Sequence, residues 1–237
     1  MVLTLSEIKR YAFVRNIRSG IRRIFLDYVQ DKFMFYFAQI YDLSFVWKGG
    51  TVLFKYYGSQ RFSEDLDLAS SKRINLDRVI AMLESEGFEI SHSKVRWTGN
   101  VIYAKYEVRH PFELLSTSVR INISVFGSIG DYHKIRFISP YPDIPEFDVL
   151  VVSPQKILSD KLEALMTRRK PRDLYDIIYI LRKYNITVRI PSNKKDVYME
   201  AIKEIGKKWS LLKEYVLVVL PKFSQIKNEF LRRVVWV

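Results

Sequence analysis

Apolar side chains recur at helical spacing from Leu5 to Ala38. Leu5, Ile8 and Ala12, then Ile17, Ile21, Ile24, Phe25 and Tyr28, alternate with basic residues, which predicts packed helices. The run from Phe33 to Phe37 is rich in aromatics but lacks the alternation of an exposed strand, so it is assigned to the core rather than to a base-stacking platform. Phe45, Val46 and Trp47 make a short strand broken by Gly49 and Gly50, and Thr51 to Tyr57 reads as a helix stopped at Gly58. Asp65-Leu66-Asp67-Leu68 alternates polar and apolar, the period of a half-buried strand, and this sets both aspartates on one face. Asn75 caps a helix that runs through Glu86 and ends at Gly87. Phe88 to Ile90, Val101 to Val108, Ser118 to Phe126 and Ile135 to Ile138 read as further strands.

The loop from Ser139 to Pro145 holds three of the eight prolines and marks a boundary or rigid crossing. Beyond it the pattern turns helical. Ser153 and Pro154 are an N-cap and a first-position proline for a helix to about Arg168; Pro171 opens another through Lys183. The stretch from Lys194 to Arg233 reads as helical, divided at Pro221. The pattern therefore predicts an α/β domain with N-terminal helices over residues 1–150 and a helical domain over residues 151–237.

Composition narrows the chemistry. A chain that is 48% hydrophobic and free of low-complexity tracts is expected to fold throughout. The absence of cysteine excludes disulfides, thiolate metal sites and thiol nucleophiles. His92, His110 and His133 lack the spacing of paired metal ligands and are read as ordinary core or surface residues. The longest apolar run, Val216 to Leu220, stops at Pro221 and falls far short of the ~20 residues of a membrane span. Glu7, Lys9 and Arg10 near the N-terminus are unlike a secretory signal, so a cytoplasmic location is expected. A net charge of +13 attracts polyanions such as RNA, DNA and nucleotides, or simply keeps the surface solvated; charge alone does not separate the two.

Two aspartates one residue apart on a strand project side by side, and a cation between them relieves their repulsion. Their hard oxygens suit Mg²⁺ or Mn²⁺. Alone the pair is weak evidence, since exposed strands and turns often carry two aspartates. Fifteen residues before Asp65, Gly50 ends a glycine pair within Lys48-Gly49-Gly50-Thr51. Glycines at a helix start let backbone N–H groups approach phosphate oxygens, though a lone Gly-Gly is more often a tight turn.

Read together, these residues resemble a known family. Trp47 to Leu53, then Arg61-Phe62-Ser63-Glu64-Asp65-Leu66-Asp67-Leu68, then Lys161-Leu162-Glu163-Ala164-Leu165 with Arg168, and finally Lys170-Pro171-Arg172-Asp173-Leu174-Tyr175-Asp176 match in order and type the AbiEii/AbiGii toxin nucleotidyltransferases of the DNA polymerase β-like superfamily. The resemblance implies a polymerase β-like α/β (α+β) domain with a mixed sheet and a helical C-terminal domain closing its cleft. It implies metal binding and catalysis by Asp65 and Asp67, with Lys161 and Asp176 as further catalytic residues. Lys48, Gly49, Gly50, Thr51, Arg61, Ser63 and Asp173 would contact the nucleotide. The implied reaction moves NMP from an NTP to a hydroxyl with Mg²⁺ or Mn²⁺. The implied acceptor is RNA, tRNA first, and the implied partner is a cognate antitoxin protein.

The chain departs from the superfamily pattern in one respect. Asn122, within Val119 to Ser124, stands where members usually present a third carboxylate, and an amide neither takes a proton at neutral pH nor neutralises a cation. Glu107 or Asp131 could substitute, metal alone could activate the acceptor, or turnover could be weak. Two other readings follow: a nucleotide- or RNA-binding protein that has lost turnover, and a transferase acting on a small molecule or a protein.

Overall fold

Thr4 and Glu7 start the first helix, α1 (Leu5–Ala12), with a reciprocal capping box in which each side chain serves the other's backbone N–H. A 3₁₀ turn over Phe13–Arg15 leads to α2 (Ile21–Tyr41). The computed structural model describes residues 2–125 and 130–237, apart from the side chains of His92 and Ser93. The predicted strand end at Phe126 lies outside the described residues.

The remaining elements are β1 (Phe45–Lys48), α3 (Gly49–Lys55), β2 (Asp65–Ser70), α4 (Leu76–Ser85), β3 (Glu89–Thr98), β4 (Val101–Arg109), β5 (Ser116–Val125), β6 (Tyr132–Phe137), β7 (Phe147–Val152), α5 (Pro154–Thr167), α6 (Pro171–Lys183), β8 (Val188–Ile190), α7 (Lys195–Lys207), α8 (Phe223–Arg233) and β9 (Val234–Trp236). They form two units. One comprises Met1–Tyr57 and Ser63–Val152; the other comprises Gly58–Phe62 and Ser153–Val237.

The first unit is built on a seven-stranded mixed sheet in the order β3-β4-β5-β2-β1-β7-β6. β1 runs antiparallel to β2 and parallel to β7, and β2 runs parallel to β5. Alternation along β4 is strict: Ile102, Ala104, Tyr106 and Val108 are buried while Tyr103, Lys105 and Arg109 are exposed. The buried side faces α2, where Phe33 packs 6.3 Å from the ring of Tyr106. The aromatic run in α2 is thus core, as its lack of alternation predicts; Phe33, Tyr36 and Phe37 are all buried.

Helix α2 is also buried on its polar positions, and this fixes α3. Asp27 and Asp31, one turn apart, both accept from the fully buried Lys55 at the end of α3, at 2.5 and 2.7 Å, and from Arg15 at 2.7 and 2.8 Å. Tyr141 donates to Asp27 and Ser139 to Asp31. Burial opposes ionisation of Asp27, but Arg15 and Lys55 outweigh it and hold its pKa below the usual carboxylate range.

The second unit pairs α5 with α6 and adds α7, α8 and the two-stranded parallel sheet of β8 and β9. Ser153 caps α5 by accepting from the Lys156 N–H at 3.1 Å, with Pro154 at the first helical position. The strip Gly58–Phe62 joins this unit through Phe62 N–H to Tyr215 O and Leu217 N–H to Gln60 O, both 2.8 Å.

Three parts of the sequence reading change. β7 lies between β1 and β6 in a stretch for which no strand is predicted. β3 runs eight residues past Ile90, to Thr98. The C-terminal region is not wholly helical, because β9 follows α8 and pairs with β8.

Candidate active site

Leu66 and Leu68 are fully buried and anchor β2, so Asp65 and Asp67 project together from its other face. Asp67 stands opposite Lys48 on β1 and Asn122 on β5; Asp65 stands opposite Arg120 on β5. Each aspartate has a neighbour on β5. Asn122 Nδ2 donates to Asp67 Oδ1 at 2.9 Å, and Arg120 Nε donates to Asp65 Oδ1 at 2.6 Å while its Nη2 reaches Glu64 at 2.6 Å. Partial burial works against the charged guanidinium of Arg120, but Asp65 and Glu64 outweigh it and raise its pKa.

The glycine pair closes the other side. Gly49 has φ +75°, the left-handed region, and a Cβ added there would come within 2.6 Å of Asp67 Oδ2. Gly49 is thus required twice, by its backbone conformation and by the carboxylate against it. Gly50 and Thr51 are buried in the first turn of α3, and the Thr51 hydroxyl donates to the backbone carbonyl of Asp65, tying the helix to the start of β2. Lys48 Nζ donates to Ser124 Oγ at 2.9 Å. Ser63 is buried, with its carbonyl accepting from Gln30 Nε2 at 3.1 Å.

Asn122 does occupy the strand position beside the pair. Neither named substitute joins it. Glu107 on β4 is registered with Ser118, four residues along β5 from Asn122, or roughly 13 Å at strand rise. Asp131 precedes β6, at the far edge of the sheet from β5. Among the described residues no group of three carboxylates or histidines is placed to hold a metal ion. The donor chemistry at Asp65 and Asp67 nevertheless fits Mg²⁺, which is commonly held by one or two carboxylates with substrate phosphates and water completing its shell.

The residues assigned downstream, with Arg61, gather in the second unit. Asp173 and Asp176 lie three apart on α6 and share a face. Lys161 on α5 reaches Asp176 at 2.6 Å and Asp173 at 3.0 Å, with only 6% of its surface exposed. Arg61 grips Asp176 through two bonds of 2.7 and 2.8 Å, and Arg168 does the same to Asp173 at 2.7 and 2.6 Å. Burial pushes the pKa of Asp176 up, but Arg61 and Lys161 outweigh it and leave it at about 2.

Sequence reasoning assigned no role to Glu64, Arg120, Ser124 or Arg168. Arg120 and Ser124 share the period of two with Asn122, which is the signal that could have found them. His110 is a core residue, as read: Phe112 N–H donates to its Nδ1 at 3.1 Å, so Nε2 carries the proton and donates to Leu3 O at 2.9 Å.

Comparisons with known proteins bear on the family and the fold. The family model described as the nucleotidyl transferase AbiEii toxin of type IV toxin–antitoxin systems matches residues 32–229. The crystal structure of JHP933 from Helicobacter pylori superposes with a TM-score of 0.57 at 20% identity, covering 89% of each chain. A second H. pylori crystal structure, provisionally assigned as a nucleotidyltransferase, gives 0.57 at 19% identity over 90% of this chain and 93% of that one. No curated protein matches. The family match over residues 32–229, most of the chain, leads to the conclusion that this protein belongs to the AbiEii nucleotidyltransferase toxin family.

Proposed function

We propose that the protein is a metal-dependent nucleotidyltransferase that moves NMP from an NTP to an acceptor hydroxyl, RNA (tRNA) first, as the toxin of a type IV-like system with a cognate antitoxin. The observation that carries this reading is the joint placement of Asp65, Asp67 and Gly49. Two carboxylates share one face, and the neighbouring helix begins at a glycine whose missing side chain leaves room for Asp67.

Asp65 and Asp67 would hold Mg²⁺ or Mn²⁺, whose chemistry when bound is to neutralise phosphate charge and polarise the α-phosphoryl group. The attack forms a bond from the acceptor oxygen to the α-phosphorus, breaks the bond to the leaving pyrophosphate and passes the hydroxyl proton to water. The backbone of Gly49, Gly50 and Thr51 orients the triphosphate, and Lys48 adds a positive charge beside Asp67. Arg120 and Asn122 hold the two carboxylates in place through the bonds described. In the second unit, Lys161 is proposed as a catalytic lysine, the role that the family resemblance implies. Arg61, Asp173 and Asp176 are proposed to position it, since both carboxylates are already engaged by cations. Ser63 is proposed to support the nucleotide from the segment leading into β2.

The test is transfer of label from each of the four α-phosphate-labelled triphosphates to total RNA with Mg²⁺, by the parent and by an Asp65→Asn/Asp67→Asn variant. Label on RNA with the parent alone supports the reading and names the base. Triphosphate binding with no transfer to RNA, protein or small molecules would replace it with a binding protein that has lost turnover.

A further inference from the structure

The sheet face that carries Asp65 and Asp67 continues across β5, β4 and β3. Cross-strand partners share a face, so the register extends two rows from the aspartates. One runs Asp67, Asn122, Tyr103, Arg96; the other runs Asp65, Arg120, Lys105, Lys94. At a strand spacing of about 4.8 Å, each row reaches roughly 14 Å from the acidic pair. Lys94, Arg96, Lys105 and Arg120 are exposed.

Two features set this face apart from a merely solvated one. The first is charge. Arg120 is engaged by Asp65 and Glu64, and Lys94, Arg96 and Lys105 add three further cations along the two rows, with Glu107, held by the Ser118 hydroxyl at 2.6 Å, in the next row beside Lys105. The second is an aromatic among the cations: Tyr103 is 40% exposed, and the Arg96 guanidinium lies 5.5 Å from its ring centroid. A flat cationic surface with an exposed ring and a guanidinium plane stacks unpaired bases while its lysines follow the phosphates. A duplex keeps its bases stacked on one another and leaves Tyr103 no base to hold.

We propose that the open face of β3, β4 and β5 is a track for the single-stranded end of a nucleic-acid acceptor. A base stacks at Tyr103 and Arg96, phosphates lie on Lys94 and Lys105, and the terminal hydroxyl is directed along the rows toward Asp65 and Asp67. The direction of the strand rests on the transferase reading above; the track itself rests on charge, register and the exposed ring.

Anisotropy of a labelled single-stranded oligoribonucleotide tests it, with triphosphate binding and label transfer measured separately on the same proteins. Tyr103→Ala and Arg96→Ala are each expected to weaken oligonucleotide binding about tenfold, with Tyr103→Phe close to the parent. A Lys94→Ala/Lys105→Ala variant is expected to lower the salt slope by about 1.4, from two phosphate contacts at roughly 0.7 each. These positions are exposed, so unchanged melting temperature and triphosphate binding are expected in all four. Oligonucleotide binding unchanged in Tyr103→Ala and Arg96→Ala overturns the track, as does a parent that binds no single strand, or binds a duplex or an acidic polypeptide more tightly. Those results leave transfer to be judged on its own. A parent that binds RNA through these residues yet transfers no label keeps the track and removes the transferase reading.

Discussion

The carboxylate of Asp67 lies against the α-carbon of Gly49, close enough that a side chain there would meet Oδ2 at 2.6 Å. The strand that carries the two aspartates and the start of α3 are therefore set by one contact.

Gly49→Ala is expected to abolish transfer and to cost more than the usual penalty of about 1–2 kcal/mol for a non-glycine residue at positive φ, because the added Cβ also meets the Asp67 side chain. Denaturant melts and label transfer check this together. A variant that keeps parental transfer would show that Asp67 can move without consequence.

Asn122 donates to Asp67 at 2.9 Å, so Asn122→Asp replaces a hydrogen bond with a third negative charge. In chelator this variant is expected to melt several degrees below the parent, by like-charge repulsion, and Mg²⁺ is expected to restore most of the loss. Differential scanning fluorimetry with and without Mg²⁺ decides it; a melting temperature indifferent to Mg²⁺ would count against a cation at this pair.

Lys55 is buried between Asp27 and Asp31. Lys55→Met leaves two buried carboxylates with Arg15 as their remaining cation, which is expected to cost about 3–5 kcal/mol, more than the loss of one hydrogen bond. Urea unfolding measures it. The same variant should loosen α3, read as faster amide exchange at Val52 and Leu53.

The folded-state pKa of Asp176 lies at about 2, below its ordinary value of 3.8. A depressed carboxylate contributes stability that is fully present above the unfolded value and is lost as pH falls from about 4 toward 2. The contribution is on the order of 2 kcal/mol. Asp176→Asn is expected to be less stable than the parent at neutral pH, with the difference shrinking across that window. Unfolding free energies measured between pH 7 and pH 2 check the sign.

The sequence by itself determined what is periodic and local. Alternation through Asp65-Leu66-Asp67-Leu68 set both carboxylates on one face, and Ser153-Pro154 and Asn75 marked where helices begin, because capping needs only neighbouring residues. The family motifs were legible for the same reason, as short runs in a set order. Strand β7 was not legible. Phe147–Val152 is apolar at every position but Asp148, so its residue types carry little of the period of two that its burial shows in the sheet. Three-residue strands such as β8 and β9 are too short to show any period, and their pairing joins segments far apart in the chain.

Only the tertiary structure decided the partners. Arg61 and Asp176 are 115 residues apart, and Asp67 and Asn122 are 55 apart; nothing local says that either pair meets. The continuation of the acidic face into Tyr103 and Arg96 likewise depends on register across four strands. A one-residue slip would turn those side chains to the opposite face, and it is the burial of Ile102, Ile121 and Leu66 beneath α2 and its neighbours that forbids the slip.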